Sequence, residues 1–282
     1  MTKTIYISGA TGYLGKLISN RLAALGNDII VGGRNPNKLS EQVQLLSKTF
    51  TQSKIKAIHC QLESPSDWER VAGEVANYGI DAYINCSAIQ GKINNVLKLN
   101  WEDIDSVMRI NLYSSIFFTN FFTNNINTKK QLKVIHFSGG GGTTPRRNFM
   151  PYSLSKTALI RFVENFDLEN ENSKVTINIV SPGILPSHMQ HEILNSELSS
   201  DDQEIVSARK ILDAEINEKP KVLDLIEFLL SEKSDGISGK SISANWDNWE
   251  EWPLHLRELQ QYDLYTLRRI TAKNHNIDWG QV

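Results

Sequence analysis

Tyr152 and Lys156 are the two residues of this chain whose types and spacing most directly indicate acid–base chemistry. They stand four positions apart in the run Tyr-Ser-Leu-Ser-Lys, and residues at that spacing share one face of a helix. A lysine ammonium beside a phenol favours the phenolate and so lowers the pKa of the tyrosine from its ordinary value of about 10. Such a phenol can exchange a proton near neutral pH, although the same pair is also common on solvated helix faces.

A glycine-rich turn near the start of the chain gives this pair a context. Gly9, Gly12 and Gly15 follow a short apolar strand at Thr4–Ser8 and lead into a stretch with apolar residues at helical spacing. Glycines in such a turn let the backbone approach a pyrophosphate, which then lies at the positive end of the helix. The spacing G-x-x-G-x-x-G departs from the strict G-x-G-x-x-G fingerprint, and glycines also serve plain turns. We nevertheless predict a dinucleotide site here.

The composition is typical of a globular enzyme. The 282 residues are 40% hydrophobic with a formal net charge of -2, which predicts no basic patch for nucleic acid. We expect neither a secretory leader nor a membrane span, and therefore a cytoplasmic protein. The length suits one α/β domain over residues 1–245 with an extension at 246–282. Cys60 and Cys86 are expected to be small buried hydrophobes, not a disulfide or a metal pair.

Apolar strands alternate with longer helical stretches along most of the chain. After the first strand, further strands are predicted at Asp28–Gly33, Lys54–Cys60, Ile80–Cys86, Leu132–Ser138, Val175–Val180 and Lys240–Ala244. Helices are predicted near 37–50, 66–78, 101–127, 152–171 and 220–232. This alternation predicts an α/β fold, a doubly wound parallel sheet of the Rossmann type, whose ligand crevice lies beyond the carboxyl ends of the strands.

The order of several motifs makes the chain similar to the short-chain dehydrogenase/reductase family between residues 3 and 245. Ile80–Ala88 resembles the end of the family's fourth strand, usually N-N-A-G, and Asn111 resembles its helical asparagine. Ser181–Ser187 resembles the P-G-x-x-x-T/S segment that holds the nicotinamide carboxamide. Asp235–Lys240 resembles the turn before the last strand.

The resemblance implies an oxidoreductase that moves a hydride between nicotinamide and a carbonyl or alcohol carbon. Tyr152 would exchange the proton, Ser138 would hydrogen-bond the developing oxyanion, and Asn111 would hold a water that reloads the phenol. Lys156 would lower the pKa of the tyrosine and bind the nicotinamide ribose. The residues expected to contact the cofactor are Gly9, Thr11, Gly12, Tyr13, Leu14, Gly15, Arg34, Leu62, Ser87, Ala88, Tyr152, Lys156, Pro182, Gly183, Ile184 and Ser187.

The serine position departs from the family pattern. The usual catalytic serine lies thirteen residues before the tyrosine, whereas Ser138 lies fourteen before Tyr152 and a glycine occupies the thirteenth place. Either the glycine run 139–142 bulges and brings Ser138 into register, which we favour, or Thr143 or Thr144 supplies the hydroxyl.

Smaller departures affect the cofactor contacts. Cys86 and Ala88 replace an Asn and a Gly of the strand-four motif, and Gln61 stands where the family commonly has an adenine-contacting Asp.

The end of the second predicted strand indicates which cofactor is used. A fold that selects NAD normally places Asp or Glu there for the ribose 2′-hydroxyl, while an Arg accommodates the 2′-phosphate of NADP. The sequence reads Gly32-Gly33-Arg34 without an acid, so NADP(H) is favoured over NAD(H). The alternative is that Arg34 caps the strand as a solvent-exposed charge without a role in binding.

The segment 186–219 is acidic and weakly periodic, and by resemblance it forms a lid over the reacting carbon. His188 and His191 lie three residues apart in it, but no third ligand is near, so we expect no metal.

Two other functions stay open beside the oxidoreductase. One is a nucleotide-sugar epimerase or dehydratase of the extended branch, which shares the glycine turn and Y-x-x-x-K. The other is a cofactor-binding regulatory protein without turnover, which the serine offset suggests. We expect the substrate to be a small-molecule carbonyl or alcohol. We also expect the protein to form a homodimer or homotetramer.

Residues 246–282 carry Trp246, Trp249, Trp252 and Trp279. Disordered tails are poor in such residues, so we expect an ordered extension packed on its own domain or on a neighbouring subunit. The alternative is that Trp246 or Trp249 reaches a substrate pocket at the strand ends.

Overall fold

Seven apolar runs of the chain form the strands of one parallel sheet. The computed structural model describes residues 2–126, 131–170, 174–213 and 221–277. Within them the strands are β1 Thr4–Ser8, β2 Asp28–Gly33, β3 Ile55–His59, β4 Ala82–Asn85, β5 Leu132–Phe137, β6 Val175–Ser181 and β7 Lys240–Ser243. Their order in the sheet is β3-β2-β1-β4-β5-β6-β7. The predicted doubly wound parallel sheet is therefore confirmed.

Helices cover both faces of the sheet. They are α1 Tyr13–Ala24, α2 Pro36–Thr49, α3 Pro65–Ala76, α4 Trp101–Met108, α5 Ser114–Asn124, α6 Met150–Glu169, α7 His188–Leu194, α8 Gln203–Asp213, α9 Lys221–Leu230 and α10 Leu256–Gln261. One hydrophobic core lies between the sheet and α1, α2 and α9. A second lies between the sheet and α3, α5 and α6. Strands buried on both faces explain why their sequences are almost continuously apolar.

The helix predicted at 101–127 is interrupted. A π-helical turn at Arg109–Tyr113 separates α4 from α5, and the end of that predicted helix lies outside the described residues. Such turns are rare and occur frequently at functional sites. The weakly periodic segment 186–219 contains α7 and α8, with its last residues outside the described part.

The strand order changes direction between β1 and β4, and this change creates the crevice in which the site lies. β1 pairs with β2 on one side and with β4 on the other, so the connections after β1 and β4 leave the sheet in different directions at the carboxyl ends of the strands. Ligands of open α/β sheets bind at such a switch point.

The described part of the extension, residues 246–277, packs along the β7 end of the sheet. Trp249 lies against Phe228 with ring centroids 5.3 Å apart, and its Nε1 donates to the Ala244 carbonyl at 3.3 Å. Trp252 stacks on Tyr265 at 4.2 Å. Trp249 thus lies in the core beside α9, whereas Trp246 is 88% exposed, and Trp279 is outside the described residues.

Candidate active site

A cleft of about 520 Å³ opens at the carboxyl ends of β1, β2, β3 and β4. Eight of the predicted cofactor residues line it, namely Gly9, Thr11, Gly12, Tyr13, Arg34, Leu62, Ser87 and Ala88. Residues not predicted from the sequence also line it, including Tyr6, Ser8, Asn35, Lys38, Glu63, Cys86 and His188. Leu14 and Gly15 lie in the first turn of α1 and are not among the lining residues.

The glycine turn is a close-packed cradle. Gly9 has a φ of +67°, and a Cβ there would lie 2.7 Å from the Cys86 carbonyl carbon. A Cβ on Gly15 would overlap the Gly9 carbonyl oxygen. The turn is closed by a 3.0 Å hydrogen bond from the Gly12 amide to that oxygen, and α1 begins at the next residue. A backbone cradle at a helix N-terminus fits the pyrophosphate of a dinucleotide.

Positive charge gathers where β2 ends. Arg34 is two-thirds exposed, and Nη1 lies 3.5 Å from a carboxylate oxygen of Glu63. Lys38, one turn into α2, lines the same end of the cleft, and Asn35 caps that helix by accepting from the Lys38 amide at 3.0 Å. Two cations can therefore face a ribose phosphate, with one acid beside them. Lys38 was not predicted from the sequence; it lies in the first turn of α2, four residues after Arg34.

Tyr152 and Lys156 lie on the buried face of the first turns of α6. Their side chains are 6% and 3% exposed, and the lysine Nζ lies 5.6 Å from the centre of the tyrosine ring. That Nζ donates to the Phe137 carbonyl at 2.8 Å, which fixes it at the end of β5. The spacing therefore brings the two groups together as the sequence predicts.

Burial dominates the protonation of this pair. It raises the pKa of Tyr152 to about 12, while the nearby Arg146 guanidinium acts in the opposite direction. Burial also lowers the pKa of Lys156 to about 8. The expected net lowering of the tyrosine pKa is thus reversed in this structure, because removal of the phenolate from water outweighs the neighbouring charges.

The glycine run after β5 is packed against the start of α6. A Cβ on Gly139 would overlap the Tyr152 hydroxyl, and one on Gly141 would overlap the Ser153 hydroxyl. A Cβ on Gly142 would lie 2.5 Å from Ser138 Oγ. Gly139 therefore faces the tyrosine, whereas the buried Ser138 hydroxyl faces Gly142. Thr143 and Thr144 are both exposed.

Asn111 lies in the π-helical turn and is completely buried. Its Oδ1 accepts from the Ile89 amide and its Nδ2 donates to the Ile89 carbonyl, both at 2.9 Å. The same Nδ2 donates to Ser155 Oγ at 3.0 Å, and Ser155 donates to the Tyr152 carbonyl at 2.7 Å. The side chain thus joins the loop after β4 to the tyrosine's helix turn.

The predicted nicotinamide segment follows β6 as an irregular loop. Gly183 has a φ of +82°, and a Cβ there would overlap the Asn245 side chain. Ile184 is exposed, and Ser187 is the N-cap of α7. Pro182, Gly183, Ile184 and Ser187 are not among the residues that line the cleft.

Side chains connect α7 and α8, in the segment predicted to form a lid, to the rest of the site. Gln90 donates to the Met189 carbonyl at 2.8 Å. Arg146 Nε and Nη2 donate to the two carboxylate oxygens of Glu204 on α8, at 2.7 and 2.6 Å. Apolar packing completes the closure through Ile93, Phe149, Ile193, Ile205 and Ala208. No sequence motif marks Arg146, because its partner is distant along the chain.

Metal ligands are not grouped in this region. His188 and His191 have ring centroids 6.5 Å apart, and nowhere in residues 2–126, 131–170, 174–213 and 221–277 do three or more His, Cys, Asp or Glu residues form a group that could hold a metal. Among those same residues, no helix is long and apolar enough to cross a bilayer.

Comparison with known proteins identifies the class to which this fold and site belong. The model of the short chain dehydrogenase family matches residues 3–198, which is more than half of the chain. The chain belongs to the short-chain dehydrogenase/reductase family and is an oxidoreductase acting on CH–OH or C=O groups.

The relatives are distant in sequence, but the match covers nearly the whole length of each of them. A 3-oxoacyl-(acyl-carrier-protein) reductase of Rickettsia bellii is 25% identical over 243 residues, covering 86% of this chain and 95% of the relative. An (S)-acetoin-forming diacetyl reductase of Staphylococcus epidermidis is 27% identical over 253 residues, covering 86% and 96%. A short chain dehydrogenase of Burkholderia cenocepacia solved with NADP superposes with a TM-score of 0.70 at 19% identity, covering 86% and 95%.

Proposed function

We propose that this enzyme transfers a hydride between NADP(H) and a carbonyl or alcohol carbon, with Tyr152 as the proton-exchanging group. The observation that carries the proposal is that the Gly9–Gly15 cradle and the buried Tyr152–Lys156 pair lie at the same edge of one sheet. When bound, the nicotinamide supplies or accepts the hydride. The protein then needs to hold the cofactor and the substrate oxygen, and to move one proton.

Tyr152 would give its proton to the carbonyl oxygen during reduction and take one back during oxidation. Lys156 would stabilise the phenolate that reduction leaves behind, since at neutral pH its pKa of about 8 keeps it mostly charged. Asn111 is proposed to support proton return to this pair. Ser138 is proposed as the oxyanion donor, and its buried hydroxyl lies beside Gly142.

The preference for NADP(H) over NAD(H) rests on charge at the end of β2. Arg34 and Lys38 line that end of the cleft, and a guanidinium can bind a phosphate through two parallel hydrogen bonds. Glu63 acts against a phosphate, since its carboxylate lies beside Arg34. The remaining predicted contacts, Pro182, Gly183, Ile184 and Ser187, are proposed to reach the nicotinamide from the loop after β6.

A carbonyl screen with both cofactors tests this function. The purified protein is assayed for oxidation and reduction with NADPH and NADH on 3-oxoacyl thioesters and diacetyl, the substrates that the relatives' names suggest, and on broader carbonyls and alcohols. We expect NADPH-dependent reduction that Tyr152→Phe abolishes. Binding of NADPH without turnover on any compound would favour the regulatory alternative. Turnover that leaves a tightly held cofactor in its starting oxidation state would favour an epimerase or dehydratase.

An apolar groove supports homodimer or homotetramer formation. Tyr113, Ile116, Phe117 and Phe121 line an open surface hollow of about 460 Å³ on α5, and exposed patches of this kind commonly mark interfaces. Light scattering should give a multiple of the chain mass for the unmodified protein and a lower mass for Ile116→Glu. Leu45→Glu, at an exposed position on α2, is the control. A monomeric unmodified protein would contradict the proposal.

The remaining proposals concern the domain organisation of the chain and its location in the cell. Residues 1–245 would form the catalytic domain, and 246–282 an extension that contributes stability or assembly. A cytoplasmic location stays a prediction from composition.

A further inference from the structure

The hydroxyl of Tyr6 is an unusual polar group at the base of the cleft. Tyr6 is in the middle of β1 and is 0% exposed. Its Oη has no hydrogen-bond partner anywhere in the described residues, although the atom is shielded from solvent. Leaving a buried donor unsatisfied costs stability, and phenylalanine would fill the same space without that cost. An unsatisfied buried hydroxyl therefore needs an explanation, and one explanation is that it binds a ligand.

The surroundings of the ring are apolar. It stacks on Tyr83 with centroids 5.6 Å apart and meets the edge of Phe122 at 5.9 Å. Burial raises the pKa of Tyr6 well above its ordinary value, so the hydroxyl keeps its proton and is a donor at any physiological pH. Among the described residues the ring is held by aromatic packing, and no protein group accepts a hydrogen bond from the Tyr6 hydroxyl.

Gly32 makes room for this hydroxyl. A Cβ at Gly32 would lie 2.6 Å from Tyr6 Oη, so any other residue on β2 at this position would push the tyrosine away. Gly32, Cys60 and Leu62 line the cleft together with Tyr6. The hydroxyl therefore lies at the β2–β3 side of the cleft, beside Gly32.

The position in the cleft indicates which part of a dinucleotide lies nearby. The pyrophosphate belongs at the Gly9–Gly15 turn and the adenosine ribose at the end of β2, beside Arg34. The adenosine half therefore extends toward Leu62 and Tyr6, away from Tyr152. Adenine ring nitrogens and ribose oxygens are hydrogen-bond acceptors, which the Tyr6 donor lacks among the described residues.

We propose that Tyr6 is a cofactor-binding residue whose hydroxyl donates a hydrogen bond, directly or through one water, to the adenosine half of the dinucleotide. This inference rests on the proposed use of a nicotinamide dinucleotide. It adds a contact from beneath the cleft, inside the sheet, to those made by the loops.

The test is Tyr6→Phe in the full chain, with affinity and stability measured separately. Calorimetric titration with NADPH, NADH and ADP-ribose should give dissociation constants raised by about 3- to 10-fold for all three, because they share the adenosine and one neutral hydrogen bond is lost. The melting temperature of the cofactor-free variant should stay equal or rise.

Tyr83→Phe is the matched control. Tyr83 stacks on Tyr6 but its hydroxyl is hydrogen-bonded to Ser8, so its loss should lower the melting temperature and leave the three affinities within about twofold. Unchanged affinities in Tyr6→Phe would overturn the inference. So would weaker binding accompanied by a fall in melting temperature as large as that of the control. If the unmodified protein binds none of the three ligands, the proposed function itself fails.

Discussion

The cofactor end and the catalytic end of this site are built in different ways. At the cofactor end, short local turns after β1, β2 and β4 surround an open cleft of about 520 Å³. At the catalytic end, the Tyr152 hydroxyl is packed against Gly139, and α8 is held down by the Arg146–Glu204 pair. The cofactor end thus depends on local sequence, whereas the catalytic end depends on contacts between distant segments. We expect binding to tolerate changes that turnover does not.

The largest effect should come from Tyr152→Phe. The ring and its packing remain, but the proton-exchanging group is lost, so kcat should fall on the order of 10²- to 10⁴-fold. The dissociation constant for NADPH should change little, because the cleft is lined by other residues. Steady-state kinetics and calorimetry measure the two effects, and Tyr78→Phe at an exposed position is the control. Retained turnover in Tyr152→Phe would remove the tyrosine from the mechanism.

Gly139→Ala tests the close packing at the catalytic end. The new methyl group would overlap the Tyr152 hydroxyl, and a small displacement of a catalytic group costs up to about 10²-fold in rate. We expect a loss of kcat with NADPH affinity preserved. Gly140→Ala is the matched control, since its Cβ would meet only the Arg146 side chain, 3.9 Å from Cδ and 4.0 Å from Nη1. Equal kinetics for the two variants would show that the tyrosine does not depend on this glycine.

Arg34→Ala tests the charge at the cofactor end. A charge-assisted phosphate contact contributes about 1.5–3 kcal/mol, so the variant should lose most of any preference for NADPH over NADH. Glu63→Gln should act in the opposite direction and strengthen NADPH binding, because it removes a negative charge beside the guanidinium. The ratio of the two dissociation constants is the measurement. Equal affinities of the unmodified protein for both cofactors would contradict the NADP(H) proposal.

Glu204→Gln weakens the ion pair between Glu204 on α8 and Arg146 in the loop after the glycine run. Partly exposed ion pairs contribute little to global stability, so the melting temperature should change only slightly. Limited proteolysis between residues 188 and 213 should nevertheless become a few-fold faster, because opening of this segment is a local event. Glu192→Gln, which keeps the Arg146 pair, is the comparison. An unchanged cleavage rate would mean that apolar packing alone holds the lid.

The last effect concerns the dependence of stability on pH through Lys156. Its pKa is about 8 in the folded protein against 10.5 ordinarily, so the unfolded chain binds more protons between these values and this residue makes stability rise with pH there. Lys156→Met should therefore be more stable than the unmodified, cofactor-free protein at pH 7, with the difference shrinking towards pH 10. Melting temperatures across this range measure it, with exposed Lys54→Met as the control. A difference independent of pH would contradict the burial effect.

The same comparison explains what the sequence could and could not predict. The positions of the strands, to within about two residues at each end, and the glycine turn depend on neighbours in the chain, so apolar runs and turn residues predicted them. The interruption at Arg109–Tyr113 was not predicted, because apolar residues are closely spaced on both sides of it and mask the shift of one position that a wider turn introduces. Nor did the sequence reveal that Gly139 packs against the Tyr152 hydroxyl, because the packing of the loop decides which residue lies there.

Charge was predicted less well than position. The helix spacing correctly brought Lys156 to Tyr152, but it could not report how deeply both groups are buried, and burial reverses the expected pKa shift. Arg146 and Glu204 come together only through the fold of the lid. Long-range pairs of this kind are invisible in a single sequence.

The extension also changes how this sheet meets its surroundings. β7 is the last strand of the sheet, and the Ser241 amide on its outer side donates to the Tyr265 carbonyl at 2.8 Å. A bare edge strand is a template on which a foreign strand can add, which leads to aggregation. The tryptophans at 249 and 252 anchor the segment that covers this edge. We therefore expect the extension to protect this edge from pairing with other chains, in addition to stabilising the domain.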